Sequence, residues 1–124
     1  MSLSAPMIAV VDDDASVRRA LRRLLITAGF VVETFASIQE FLAAGHRHQT
    51  RCLILDIHLP GVTGVDLDRH LDALGSAIPI ILITADDDAP TRAWAQGTGA
   101  AAYLQKPFRR QVLLKAIAKV LVLL

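Results

Sequence analysis

The sequence holds a single cysteine, Cys52, which excludes an internal disulfide framework and a cysteine-based zinc site. It has no apolar run of the ~18 residues that a membrane-spanning helix needs. Its amino terminus, Met1-Ser2-Leu3-Ser4-Ala5-Pro6, lacks the charged-then-apolar order of a secretory signal. Net charge is nearly absent too: thirteen Lys and Arg against twelve Asp and Glu leave +1, so the chain as a whole carries no basic nucleic-acid footprint. No linker, repeat or low-complexity stretch interrupts it. What the 124 residues do contain is apolar material, 53% of the total with only 20% charged, enough for one hydrophobic core and too much for a disordered chain. These features fit a single cytoplasmic domain with no membrane partner.

Short apolar runs alternate with helical spacing. Met7-Ile8-Ala9-Val10-Val11 reads as a strand buried on both faces. Residues 15–28 then turn Val17, Leu21, Leu24, Leu25 and Ala28 to one side and Arg18, Arg19, Arg22 and Arg23 to the other, with Asp14 as N-cap and Gly29 as stop. Val31–Phe35 is a second strand, and Glu33 hints that it lies at an edge. Ser37-Ile38-Gln39-Glu40 is a capping box opening a short helix that ends near Gly45. Cys52–Leu55, Ile80–Ile83 and Ala100–Leu104 are further strands. Helices are expected after Thr63, over about 89–97, and from Arg109 onward. Five strands, each followed by a helix, argue for a parallel sheet with helices on both faces, and right-handed crossovers favour the doubly wound, flavodoxin-like order 2-1-3-4-5.

In that topology ligands bind beyond the carboxyl ends of the strands, where strand order reverses, here between the first and third. The first strand ends in Asp12-Asp13 and the third in Asp56. Three carboxylates in one crevice repel one another, and a hard divalent cation with oxygen ligands, Mg2+ foremost, relieves that repulsion. Thr84 closes the fourth strand and Lys106-Pro107 follows the fifth. A metal, a hydroxyl and an ammonium around one carboxylate are the parts of a phosphoryl clamp, with the carboxylate as nucleophile. Each residue also has a plain reading, as a helix cap, a turn residue or a loop lysine. All of them at the proper ends of four strands is a much rarer coincidence.

Val11-Asp12-Asp13-Asp14, Leu55-Asp56-Ile57-His58-Leu59-Pro60-Gly61, Ile83-Thr84-Ala85 and Tyr103-Leu104-Gln105-Lys106-Pro107-Phe108 together resemble the receiver domain of bacterial two-component response regulators, the CheY-like fold. The resemblance runs from about Ile8 to Val120. It implies Asp56 as phosphoacceptor, with Asp56, Thr84 and Lys106 as the catalytic set. It implies Asp12, Asp13, Asp56 and the backbone carbonyl of His58 as Mg2+ ligands. Thr84 and Tyr103 become the switch residues, Lys106-Pro107 a cis bond, and His58 and Asp86 the positions that tune phosphate lifetime. Asp88-Ala89-Pro90 and Lys106-Pro107-Phe108 look like receivers of the FixJ type, which precede a helix-turn-helix output domain.

The resemblance implies a signalling protein and not an enzyme acting on other substrates, since it would catalyse only its own phosphorylation and dephosphorylation. Its partner would be a sensor histidine kinase, and it would reach DNA only through an output domain that these residues do not include. The receiver is expected over 1–124, with residues 1–6 outside the ordered part. Homodimerisation is expected through the fourth helix, which carries Trp94, the fifth strand and the fifth helix, where Leu114, Ala118 and Val122 offer either extra burial or a dimer face. The first-helix arginines are a solvated face, or also the docking face for the phosphodonor. Rival readings are a metal-dependent aspartyl-phosphate phosphohydrolase, a stand-alone receiver or phosphorelay protein, a flavin-binding module and a pseudo-receiver. Gly97–Ala102 matches a dinucleotide fingerprint by letter but enters a strand where a helix is required. His46-Arg47-His48 and Asp86-Asp87-Asp88 read as polar loops, and Cys52 as a buried strand residue.

Overall fold

The structure, a computed structural model, describes residues 6–45, 49–57, 78–85, 93, 97 and 100–122. The described elements are β1 (Met7–Val11), α1 (Ala15–Thr27), β2 (Val31–Phe35), α2 (Ile38–Ala44), β3 (Thr50–Asp56), β4 (Ile80–Thr84), β5 (Ala102–Gln105) and α3 (Arg110–Val122). The expected helices after Thr63 and over 89–97, with Trp94, lie outside the described residues, as do His46-Arg47-His48, His58 and Asp86.

The five strands form one parallel sheet in the order β2-β1-β3-β4-β5, as the alternation of apolar runs and helices implies. Alternate residues of the central strands supply two cores. Ala9, Val11, Leu53, Leu55 and Leu82 face α2 through Ile38 and Phe41. Ile8, Val10, Cys52, Ile54, Ile81 and Ile83 face α1 and α3 through Leu21, Leu25, Leu113, Ile117 and Val120. Helices thus cover both faces, the condition under which a parallel sheet is stable. Each fully buried Leu, Ile or Phe contributes roughly 1.5–3 kcal/mol from apolar transfer. Leu114 packs against the second core and so provides extra burial there.

Local chemistry sets the ends of the elements. Asp14 caps α1 by accepting from Ser16 N at 2.8 Å and Val17 N at 3.4 Å. The helix stops at Thr27, and Gly29 follows with φ +99°, a backbone state that a β-carbon disfavours. Ser37 caps α2 through Glu40 N at 3.1 Å. Glu40 reaches back one residue further than the capping box requires, accepting from Ala36 N at 2.6 Å. An edge-to-face contact of Phe35 with Phe41, centroids 5.4 Å apart, ties α2 to β2.

Two strands differ from their sequence reading. β3 starts at Thr50, before the apolar run, because Thr50 pairs with Met7 across a register shift that leaves Arg51 as the extra residue. β5 starts at Ala102 and runs to Gln105. Its partner β4 begins at Ile80, so Ala101 only donates to the Ile80 carbonyl at 2.8 Å, and paired residues begin with Ile81 and Ala102. Among the described residues no helix is long and apolar enough to cross a membrane.

Candidate functional site

Strand register builds the site. Val11 of β1 pairs with Leu55 of β3, so the residues that follow them, Asp12 and Asp56, come out side by side at the carboxyl rim. Asp56 pairs with Ile83, and Ile57 N extends the ladder to the Ile83 carbonyl at 3.1 Å. Thr84 pairs with Gln105, and Lys106 N donates to the Thr84 carbonyl at 2.6 Å. Four strand ends therefore deliver Asp12, Asp56, Thr84 and Lys106 to one rim.

Burial there is unusual for polar groups. Asp12 and Thr84 are fully buried and Asp56 is 5% exposed, although carboxylates are rarely buried without partners. One carboxylate oxygen each from Asp12, Asp13 and Asp56 lie within 4.8 Å of one another. Lys106 answers the charge, its Nζ standing 2.8 Å from Asp12 Oδ2 and 3.5 Å from Asp56 Oδ2. Burial alone would lower the Lys106 ammonium, but the hydrogen bond to Asp12 and the charges of Asp56 and Asp12 outweigh it and hold its pKa above the ordinary value. The Lys106-Pro107 peptide is cis, as the sequence resemblance implies.

The donor set tests itself against a metal. Three carboxylates supply only hard oxygen ligands, with no histidine or thiolate in the group, which suits a hard divalent cation such as Mg2+. Asp14, the third acid of the run, is turned to helix capping and does not belong to the group. Tyr103, on β5, is half-buried against the α2-side core. The expected ligand carbonyl of His58 and the expected tuning residues His58 and Asp86 lie outside the described residues.

One contributor escaped the sequence reading. Arg18 counted as part of the solvated face of α1, yet its Nη1 donates to the Asp12 backbone carbonyl at 2.7 Å. The signal was its place in the first turn, where a long side chain leans back toward the strand-to-helix loop. Away from the carboxylates, a cleft of about 570 Å3 between α1 and α3 is lined by Arg19, Arg23 and Arg110 over Ala20, Leu24 and Thr27.

Residues 8–118 match the family described as the response regulator receiver domain. The chain belongs to this family. As a receiver domain it is 44% identical over 108 residues to nodulation protein W of Bradyrhizobium diazoefficiens, covering 87% of this chain and 48% of that protein. The crystal structure of a response regulator receiver protein from Burkholderia phymatum superposes with TM-score 0.80 at 44% identity, covering 94% of this chain and 95% of that one. Full-length FixJ from B. japonicum superposes with TM-score 0.84 at 34% identity, covering 97% of this chain and 59% of that one. The chain spans about half the length of the curated relatives it matches, 48% and 52% for the first two. The order β2-β1-β3-β4-β5 is thus that of a receiver fold.

Proposed function

We propose that Asp56 is the phosphoacceptor of this receiver domain and takes a phosphoryl group from the phosphohistidine of a sensor kinase. The observation that carries the reading is the carboxylate trio at the strand 1–strand 3 switch point, with Asp12 and Asp56 buried and Lys106 set against both. In the reaction a carboxylate oxygen of Asp56 forms a bond to phosphorus as the bond from phosphorus to the donor nitrogen breaks, leaving an acyl phosphate on Asp56 and a free imidazole on the donor. Asp12 and Asp13, with Asp56, would hold Mg2+, which when bound would supply positive charge against the phosphoryl oxygens. Lys106 supplies a second positive charge, and the Thr84 hydroxyl a hydrogen bond to the transferred group. Because the strand 4 and strand 5 ends carry both, their repacking together with Tyr103 turns a local charge change into a change of surface. His58 and Asp86 set how long the acyl phosphate survives. The chain catalyses only its own phosphorylation and dephosphorylation, in the cytoplasm.

The relatives that this chain half covers include regulators described as transcriptional, which supports a role in transcription through an output domain that binds DNA. Phosphorylation-linked pairing of two receivers through β5, α3 and the segment 89–97 extends the same reading.

Incubation with acetyl phosphate and Mg2+, followed by intact mass, tests the assignment. The wild type gains the mass of one phosphoryl group. Asp56→Asn, and the wild type with chelator, do not. A gain that survives Asp56→Asn removes Asp56 from the role.

A further inference from the structure

We infer that Arg18 is a positioning residue of the carboxylate site, acting through the backbone carbonyl of Asp12. The inference rests on the reading of the trio as a Mg2+-dependent phosphoacceptor site and adds a residue to it.

Asp12 is fully buried and held at four polar atoms. Its N–H donates to the Phe35 carbonyl at 3.1 Å, and its Oδ1 accepts from Asp14 N at 2.9 Å. Its Oδ2 accepts from Lys106 at 2.8 Å, and its carbonyl oxygen accepts from Arg18 Nη1 at 2.7 Å. Asp12 lies one residue beyond the last paired residue of β1, so its N–H still extends the β1–β2 ladder to Phe35 while its carbonyl oxygen takes the Arg18 bond. The Arg18 bond is the one that reaches back from α1. Arg18 is itself anchored, since its own N–H donates to the Asp14 carbonyl at 3.0 Å in the first turn. The guanidinium thus spans from a fixed helix turn to the peptide that aims the Asp12 carboxylate. A charge-assisted bond of this length is among the stronger ones available. It fixes a ligand-bearing residue from outside the ligand set, as partners of metal ligands commonly do.

The two things Arg18 could do for a cation have opposite signs, which makes the inference sharp. As a nearby positive charge it repels Mg2+, so its removal would tighten binding. As the clamp on the Asp12 carbonyl it orients a ligand, so its removal loosens the site and weakens binding, by about tenfold or more for partners of this kind. A purely structural side chain would change stability and leave the affinity alone.

The test compares wild type, Arg18→Met and Arg18→Lys by calorimetric Mg2+ titration and by NMR hydrogen exchange without metal. In Arg18→Met the Mg2+ dissociation constant rises about tenfold or more. The Asp14 amide, which donates to Asp12 Oδ1, exchanges faster, while amides of β1 and β3 keep their protection. Arg18→Lys, with its charge and a donor retained, recovers part of both losses. Unchanged or tighter Mg2+ binding in Arg18→Met overturns the inference, and so does an unchanged Asp14 amide. If the wild type itself takes up no Mg2+, the metal-site reading fails, and the Asp14 exchange rate alone decides for or against the positioning role.

Discussion

Lys106 and Asp12, 94 residues apart in sequence, are joined at 2.8 Å across the carboxyl rim of the sheet, and the same ammonium stands 3.5 Å from Asp56. The lysine therefore shares the Asp12 and Asp56 carboxylates with any divalent cation held by the trio. It partly neutralises the trio when no metal is bound and competes with a metal when one is.

Replacing Lys106 by methionine separates these two effects. With chelator present, the variant loses about 1–3 kcal/mol, the cost of leaving buried acceptors without their partner. With Mg2+ titrated in, it binds the ion several-fold more tightly than the wild type, because a like charge has left the site. Urea unfolding and calorimetry check the two halves. Weaker Mg2+ binding in Lys106→Met would contradict the competition.

Asp13 is the exposed member of the trio, while Asp12 and Asp56 are buried. Its neutralisation should therefore disturb packing least while relieving like-charge repulsion. Asp13→Asn is expected to unfold at a higher urea concentration than the wild type in chelator and to bind Mg2+ at least about tenfold more weakly, as loss of a charged ligand demands. The order of stability reverses at Mg2+ concentrations well above the wild-type dissociation constant, since binding to the folded state adds stability. Parallel melting curves in chelator and in Mg2+ show whether the curves cross.

The alkaline limb of stability has two identifiable sources. Burial pushes the Cys52 thiol up from 9.0 to about 12. The unfolded chain therefore releases the thiol proton at lower pH than the folded one, and stability falls as pH rises from 9 toward 12, by at most about 1.4 kcal/mol per pH unit. The Lys106 ammonium, also raised, contributes stability that is complete below its ordinary 10.5 and is lost as pH climbs through the folded value. Both act in the same direction. Cys52→Ala should flatten the decline that begins near pH 9 and leave the later one, which Lys106→Met removes. The same burial keeps Cys52 unreactive toward thiol reagents at neutral pH until the chain unfolds.

Much of this was legible in the residue order because it rests on strand periodicity and on the residues that end the strands. Continuous apolar runs marked β1, β3 and β4, and Asp12, Asp56, Thr84 and Lys106 stood just past such runs, so a topology rule sufficed to bring them together. Thr50 and Arg51 were not legible as strand, because pairing there depends on a register shift that no apolar pattern records. The Arg18 bond was hidden for a related reason. Helical periodicity assigns a residue to a face by its Cα, whereas a guanidinium on a long stem acts several ångströms away, over the preceding turn. The Glu40 bond to Ala36 N, one residue off the expected capping partner, is a third case in which side-chain reach and not spacing decided the contact.

The remaining arginines of α1 allow the route of phosphorylation to be divided. Arg19 and Arg23 are exposed and, with Arg110 of α3, line the cleft between these helices over an apolar floor. Neither α1 nor α3 carries an acidic residue, so nothing on these helices offsets that charge. If Asp56 is the acceptor, as proposed, a small phosphodonor would reach it without touching this face, while a kinase domain would have to dock somewhere to present its phosphohistidine. Charge reversal in Arg19→Glu/Arg23→Glu should therefore leave labelling by acetyl phosphate and Mg2+ at the wild-type rate. It should slow transfer from the phosphorylated kinase by tenfold or more, as lost electrostatic steering at an interface does, and the deficit should shrink as salt is raised, because the steering term is screened over about 10 Å at 0.1 M ionic strength. Equal slowing of both donors would point to damage at the carboxylate rim. Equal wild-type rates with both would leave the arginines a solvated face and move the kinase contact elsewhere on the domain.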